Sequence, residues 1–205
     1  MADLTARPDR RTRIADAALD LAADGGNRAV THSGVDRCLD LPKGSTSYYF
    51  RTRRELLDAA LTHLTATSAA SFETTRRPDA SSAADAADVV GRYLHTLTTA
   101  RTRDVRARFA LAPDAAHDAD LATALRDSLF SRPGARALFT SLGSPDAESD
   151  AADLLVFCEG VAATHLFSGV SQTTAELTSA VRRRFELTSQ KLLSDRREPF
   201  GHRGR

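Results

Sequence analysis

Residues 42–56 read P-K-G-S-T-S-Y-Y-F-R-T-R-R-E-L. Ser45, Thr46 and Ser47 stand in a row and Tyr48, Tyr49 and Phe50 follow, with Lys43 before them and Arg51, Arg53 and Arg54 after. A core helix does not carry three consecutive hydroxyls, because each one buried without a partner costs free energy. A solvated linker does not carry three consecutive rings. The mixture suits a short helix that keeps Phe50 as an apolar anchor and turns hydroxyls and cations towards an anionic surface.

The segments on either side have the helical period. Ile14, Ala17, Ala18 and Leu21 share one face of a first helix, which D-G-G-N at 24–27 closes. Thr31 can cap a short second helix with Val35, Cys38 and Leu39 inward. Asp40-Leu41-Pro42 is a tight break, and proline suits the first turn of a third helix from about Lys43 to Phe50. Thr52 and Glu55 form a capping box that opens a fourth helix. Leu57, Leu61, Leu64 and Phe72 hold its stripe until about Arg77-Pro78.

Helix, three-residue turn, short helix is the helix-turn-helix layout, whose second helix lies in the DNA major groove. In that setting Gly44 and Ser45 let the helix approach a duplex closely. The hydroxyls of Ser45, Thr46, Ser47, Tyr48 and Tyr49 can donate to phosphate oxygens or touch base edges. Lys43 stands where side chain and helix dipole both favour an anion. The arm R-P-D-R-R-T-R at 7–13 is basic enough to touch backbone or minor groove.

Further helices are expected at about 82–101, 103–116, 119–130, 132–142, 146–169 and 173–194, with Pro113 kinking or ending the second of these. In the helix at 146–169, Leu154, Phe157 and Val161 form one stripe and Leu155, Cys158, Ala162 and Leu166 another, so it must be covered on two sides. The last helix carries Leu177, Val181, Phe185 and Leu192. The pattern predicts an all-α fold of about nine helices. A three-helix helix-turn-helix unit at 1–54 is joined by a long helix to a larger helical domain at 55–195. The tail at 196–205 lacks apolar periodicity and is expected to be disordered.

Lys and Arg number 28 against 27 Asp and Glu, so an anionic partner must be held by local patches rather than by overall charge. Cys38 and Cys158 have no C-x-x-C spacing and are expected to be buried, reduced thiols. No uninterrupted apolar run approaches the length of about 20 residues that crosses a bilayer, since Glu159, Gly160 and His165 break the longest. A soluble, cytoplasmic protein is the expectation. The histidines lack H-x-x-x-H and H-E-x-x-H spacing, and His117-Asp118 with Asp120 reads as a loop rather than a cation site. There is no G-x-S-x-G elbow, phosphate loop or dinucleotide fingerprint. No enzyme activity, metal or cofactor is expected.

The region 10–60 resembles the TetR family of bacterial regulators, whose typical segment is T-x-x-x-I-A-x-x-A-G-V-S-x-G-T-L-Y-x-Y-F-x-S-K-E-E-L. Thr31, Val35, Leu41, Pro42, Gly44, Ser45, Tyr49, Phe50, Thr52, Arg53, Glu55 and Leu56 occupy the corresponding places. Asp40 replaces Gly in the turn, which Asp can accept in a left-handed conformation. Thr46-Ser47 replaces Leu-Tyr, which passes a phosphate contact common in the family to Tyr48 or Tyr49. The resemblance implies that Thr31 and His32 lie near phosphates and that Lys43, Gly44, Ser45, Ser47, Tyr48 and Tyr49 face the groove. It also implies that Arg53 reaches a phosphate from the start of the fourth helix.

The resemblance further implies a homodimer on a palindromic double-stranded operator, released when an unidentified small-molecule effector enters the larger domain. Repressor is the commoner role. Arg106, Phe109, Phe130, Phe157, Glu159 and His165 are the candidate effector contacts, with Glu159 needing a partner wherever it is buried. Two other readings compete. An effector-less architectural DNA-binding protein would want a more extended basic surface, and an enzyme on an all-α scaffold would want a catalytic motif.

Overall fold

The computed structural model describes residues 9–76 and 82–195, with side chains through 186. Among these, ten α-helices follow one another without a strand: α1 Arg10–Gly25, α2 His32–Cys38, α3 Ser45–Tyr49, α4 Arg53–Thr75, α5 Ala83–Thr98, α6 Thr102–Ala115, α7 Ala119–Asp127, α8 Arg132–Ser141, α9 Ala147–Ser168 and α10 Thr174–Asp195. A short 3-10 turn, Asn27–Ala29, follows α1. The expected disordered tail at 196–205, the loop at Arg77-Pro78, the side chain of Leu192 and residues 7 and 8 of the basic arm lie outside the described residues. The chain divides into two compact units, Met1–Ser71 with Thr99–Phe130, and Phe72–Thr98 with Ser131–Arg205.

In the first unit, Asp9 caps α1 by accepting from the Thr12 amide at 2.8 Å. Residues 10–13 are therefore the first turn of a helix and not an extended arm. Ile14, Ala17 and Ala18 are buried as their spacing requires, and Ala15, Leu19 and Ala22 join them, while Leu21 is only half-buried. The apolar face is broad because α6 packs along α1 in addition to α2. Val105, Ala107 and Leu111 of α6 are buried. Pro113 is accommodated in the last turn of α6, where the helix is about to end. Polar groups fasten the same junction. Arg103 donates to Asp16, to Asp20 at 2.7 Å and to Asp104 at 2.7 Å. Burial opposes its charge, and the three carboxylates outweigh that cost and raise its pKa.

In the second unit, α5 and α10 approach closely at Gly91, where a Cβ would lie 2.7 Å from the Thr178 Cα. Glycine is required there by contact between two backbones. Leu177, Val181 and Phe185 of α10 are buried. The Phe185 ring meets Phe139 of α8 edge-on at 5.3 Å, and Phe72 meets Tyr93 in the same way at 5.2 Å. α9 packs against α8, α5 and α10 and has Ala151, Leu154, Cys158, Val161 and Ala162 buried, whereas Leu155, Phe157 and Leu166 are half-buried. Burial, with Glu159 beside it, pushes the Cys158 thiol up to about 12. By length and composition alone α9 is long and apolar enough to cross a membrane, a test that a core helix also passes, and Glu159, Gly160 and His165 interrupt its apolar run.

Candidate nucleic-acid interface

The turn between α2 and α3 takes Asp40 through φ 50° and Gly44 through φ 90°. α3 has five residues, fewer than a helix needs to sustain itself. What holds it is Asp36 of α2, which is 4% exposed. One carboxylate oxygen accepts from the Gly44 amide at 2.8 Å. The other accepts from the Thr46 amide at 2.8 Å and the Thr46 hydroxyl at 2.7 Å. The Asp36 carbonyl accepts from the Leu41 amide at 2.8 Å. Burial disfavours the charge of Asp36, but the Thr46 hydroxyl, the two amides and nearby His32 outweigh it. The pKa is held below its ordinary 3.8.

Several expectations change here. Thr46 is fully buried, so its hydroxyl serves Asp36 and not a phosphate. The inward face of α2 is Gly34, Val35 and Asp36; Cys38 is exposed and Leu39 half-buried, because the helix ends at Cys38 and its polar residue points at α3. Lys43 stands in the turn, ahead of the helix. The anion at the α3 N-terminus is the protein's own Asp36. Sequence reasoning passed over Asp36, although a signal existed: the family segment has Ala and Leu where this chain has Asp36 and Thr46. The two departures are partners in space.

The other end of α3 is fixed by three contacts. Phe50 is buried, and the Arg11 guanidinium lies 4.5 Å from its ring centre. Arg11 also donates to the Tyr49 carbonyl at 3.1 Å. His32 donates from Nε2 to the Phe50 carbonyl at 2.7 Å, since a carbonyl only accepts. The ring expected near a phosphate thus has a positioning duty on that nitrogen. Thr31 caps α2 by accepting from the Gly34 amide at 3.0 Å.

With both ends tied, the outward face is defined. Tyr48 is 83% exposed, and its ring meets Tyr49 edge-on at 5.3 Å. Lys43, Gly44 and Ser47 are exposed, while Ser45 and Tyr49 are half-buried. The Ser45 hydroxyl donates to the Pro42 carbonyl at 2.6 Å.

α4 opens with the expected cap. The Thr52 hydroxyl accepts from the Glu55 amide at 3.1 Å, and the Glu55 carboxylate reaches the Arg51 amide at 2.8 Å. Arg53, expected at a phosphate, is turned inward. It holds Asp114 at 2.5 and 3.0 Å, the Asn27 carbonyl at 2.7 Å and the Val30 carbonyl at 3.1 Å. Arg54 binds Asp118 at 2.7 Å and Asp120 at 2.8 Å. Three carboxylates from the end of α6 and the start of α7 therefore grip the first turn of α4. The Arg53 guanidinium holds Asp114 below the usual carboxylate range, and Arg54 does the same for Asp118. The counter-ion of the His117–Asp120 loop is a guanidinium. Among the described residues no cluster of His, Cys, Asp or Glu is placed to hold a metal.

Of the candidate effector contacts, Arg106, Phe109 and Phe130 belong to the first unit and Phe157, Glu159 and His165 to the second. Arg106 is exposed and faces Asp24 at 3.9 Å. Phe130 is buried, and Phe109 is half-buried with the Arg108 guanidinium 5.5 Å from its ring centre. Phe157 is half-buried with Arg184 5.1 Å from its ring centre. Glu159 and His165 are half-buried, and His165 Nδ1 lies 3.2 Å from the Val170 carbonyl just past the end of α9.

Residues 81–187 match the family model described as the tetracyclin repressor-like C-terminal domain. Solved structures with this fold include a transcriptional regulator from Rhodococcus sp. Rha1, 27% identical with TM-score 0.75, covering 89% of this chain and 97% of that one. A TetR-family member from Streptomyces coelicolor A3 is 22% identical with TM-score 0.72, covering 86% and 98%. The multidrug binding protein EbrR complexed with ethidium is 23% identical with TM-score 0.68, covering 86% and 98%. No curated protein matches the chain.

Proposed function

The chain belongs to the TetR family of transcriptional regulators, and from that premise we propose that two copies bind a palindromic operator through α3 and repress until a small molecule releases them. One observation carries this reading: a helix too short to stand alone is pinned at both ends and, with the turn before it, leaves Lys43, Ser47 and Tyr48 exposed to solvent. A cation, a hydroxyl and a phenol suit phosphate oxygens, sugar and base edges. The division of labour at 54/55, with DNA contacts before it and effector binding and dimerisation after it, is part of the same proposal.

Dimerisation is proposed through α9 and α10. α9 exposes Val156 and Phe167 at 72% and 76%, and Val170 follows. A second copy of the same face covers such residues in a two-fold interface. The resulting spacing must place two α3 helices about 34–36 Å apart for successive major grooves. An effector that prefers another arrangement lowers DNA affinity by its differential binding energy, typically about 1–3 kcal/mol. Arg106, Phe109 and Phe130 in the first unit, and separately Phe157, Glu159 and His165 in the second, stay candidate effector contacts, each set considered within its own unit. EbrR, similar in fold, is complexed with ethidium, so flat aromatic cations are the first compounds to screen.

The experiment is selection of bound duplexes from random sequence, followed by titration of candidate effectors against the complex. An enriched inverted repeat released by a compound supports the proposal. Equal, salt-dependent binding to all duplexes supports the architectural alternative.

A further inference from the structure

We infer that Asp36 is the positioning residue of the DNA-reading helix, its carboxylate setting where Ser47, Tyr48 and Tyr49 stand. The inference rests on the reading of α3 as the DNA reader. Helix N-termini commonly bind phosphate through their unpaired amides. In α3 three of those amides are already engaged: Gly44 and Thr46 with Asp36, and Ser45 with the Pro42 carbonyl at 3.0 Å. A DNA phosphate therefore meets mainly side chains here, and their direction depends on the clasp that holds the helix.

The clasp is specific in geometry. Three donors converge on two carboxylate oxygens at 2.7–2.8 Å, in a place where Thr46 is 0% and Asp36 is 4% exposed. The paired Ala and Leu of the family segment would make an apolar contact that tolerates sliding. Hydrogen bonds weaken steeply with misalignment and so fix the register of α3 on α2. α2 also holds the far end of α3, through His32 and the Phe50 carbonyl. Both ends of the reading helix are thus referred to α2.

Asp36→Asn tests this. Its remaining oxygen can still accept from Thr46, but its amide would confront the Gly44 N–H, donor against donor. Thr46→Val removes only the hydroxyl. Wild-type protein is used to select a duplex of about 30 base pairs, and each variant is then titrated with that duplex and with a scrambled one. Expected for Asp36→Asn is an unchanged helical circular dichroism spectrum and a loss of about tenfold or more on the selected duplex. The loss on the scrambled duplex is smaller, so the ratio between the two falls. Thr46→Val shows a partial fall. Asp36→Ala with Thr46→Leu, which restores the apolar pair, recovers stability without recovering the ratio. Amide exchange without DNA should quicken at Gly44 and Thr46 in Asp36→Asn while α1 stays protected.

An unchanged ratio in Asp36→Asn, or unchanged exchange at Gly44 and Thr46, overturns the inference. If Asp36→Asn does not fold, an unchanged ratio in Thr46→Val overturns it. A wild-type protein that selects no duplex defeats the DNA-reading proposal instead, and the exchange data still decide the clasp.

Discussion

Asp36 and Tyr48 sit on opposite sides of one short stretch, one buried and charged, the other exposed and aromatic. Because the folded pKa of Asp36 is depressed, its contribution to stability is fully present above the unfolded value and is lost as pH falls through the folded one. Asp114 and Asp118 have the same sign. The wild type should therefore lose stability on acidification below about pH 4, and Asp36→Asn should lose less over the same window. Denaturant melts at stepped pH check this, and parallel curves for the two proteins would contradict it. On the outward face, Tyr49→Ala and Lys43→Ala should abolish operator binding and leave a folded dimer. Binding retained by both would show that α3 is not the reader. The exposure of Lys43, Ser47 and Tyr48 was legible because a cation and hydroxyls beside the apolar anchor Phe50 mark the solvent side of a short helix. Asp36 was not, because a single acid on a short helix reads as solvent-facing until its three donors are brought to it.

At the scale of elements, two close junctions carry tests. The first is the grip of Asp114, Asp118 and Asp120 on the first turn of α4. Asp114→Asn weakens the bidentate pair of Arg53 and should cost about 1–3 kcal/mol, seen as a lower thermal midpoint. Arg54 is half-exposed, and Asp120→Ala should cost far less, as exposed ion pairs do. Equal effects from the two variants would refute this ordering. The second junction is α5 against α10, where Gly91→Ala should cost about 1–3 kcal/mol by forcing two backbones apart. An unchanged thermal midpoint would show that the helices can separate without penalty. Helix number and ends were nearly legible, since caps such as Thr31 and Thr52 and the apolar period carry local information. Long-range pairing was not. Nothing in R-T-R-R-E-L says that Arg53 meets a carboxylate 61 residues away rather than a phosphate. The inward turn of Asp36 and the exposure of Cys38 likewise follow from how α3 lies on α2.

The whole molecule, on this account, is a pair. α9 meets a membrane helix in length and composition, yet Ala151, Leu154, Cys158, Val161 and Ala162 are committed to packing within the chain. Its exposed Val156 and Phe167 are the residues a second copy would cover. Val156→Asp should therefore yield a monomer in analytical ultracentrifugation, with operator affinity falling because each α3 then binds alone. A dimer of undiminished stability would move the interface elsewhere. The most direct measurement is selection of duplexes from random sequence by the wild-type protein, with the mass of the complex recorded on the winning sequence. Two copies on an inverted repeat, with half-sites about 10–10.5 base pairs apart, is the predicted result. No enrichment over the starting pool, or one copy on a sequence without two-fold symmetry, would contradict it.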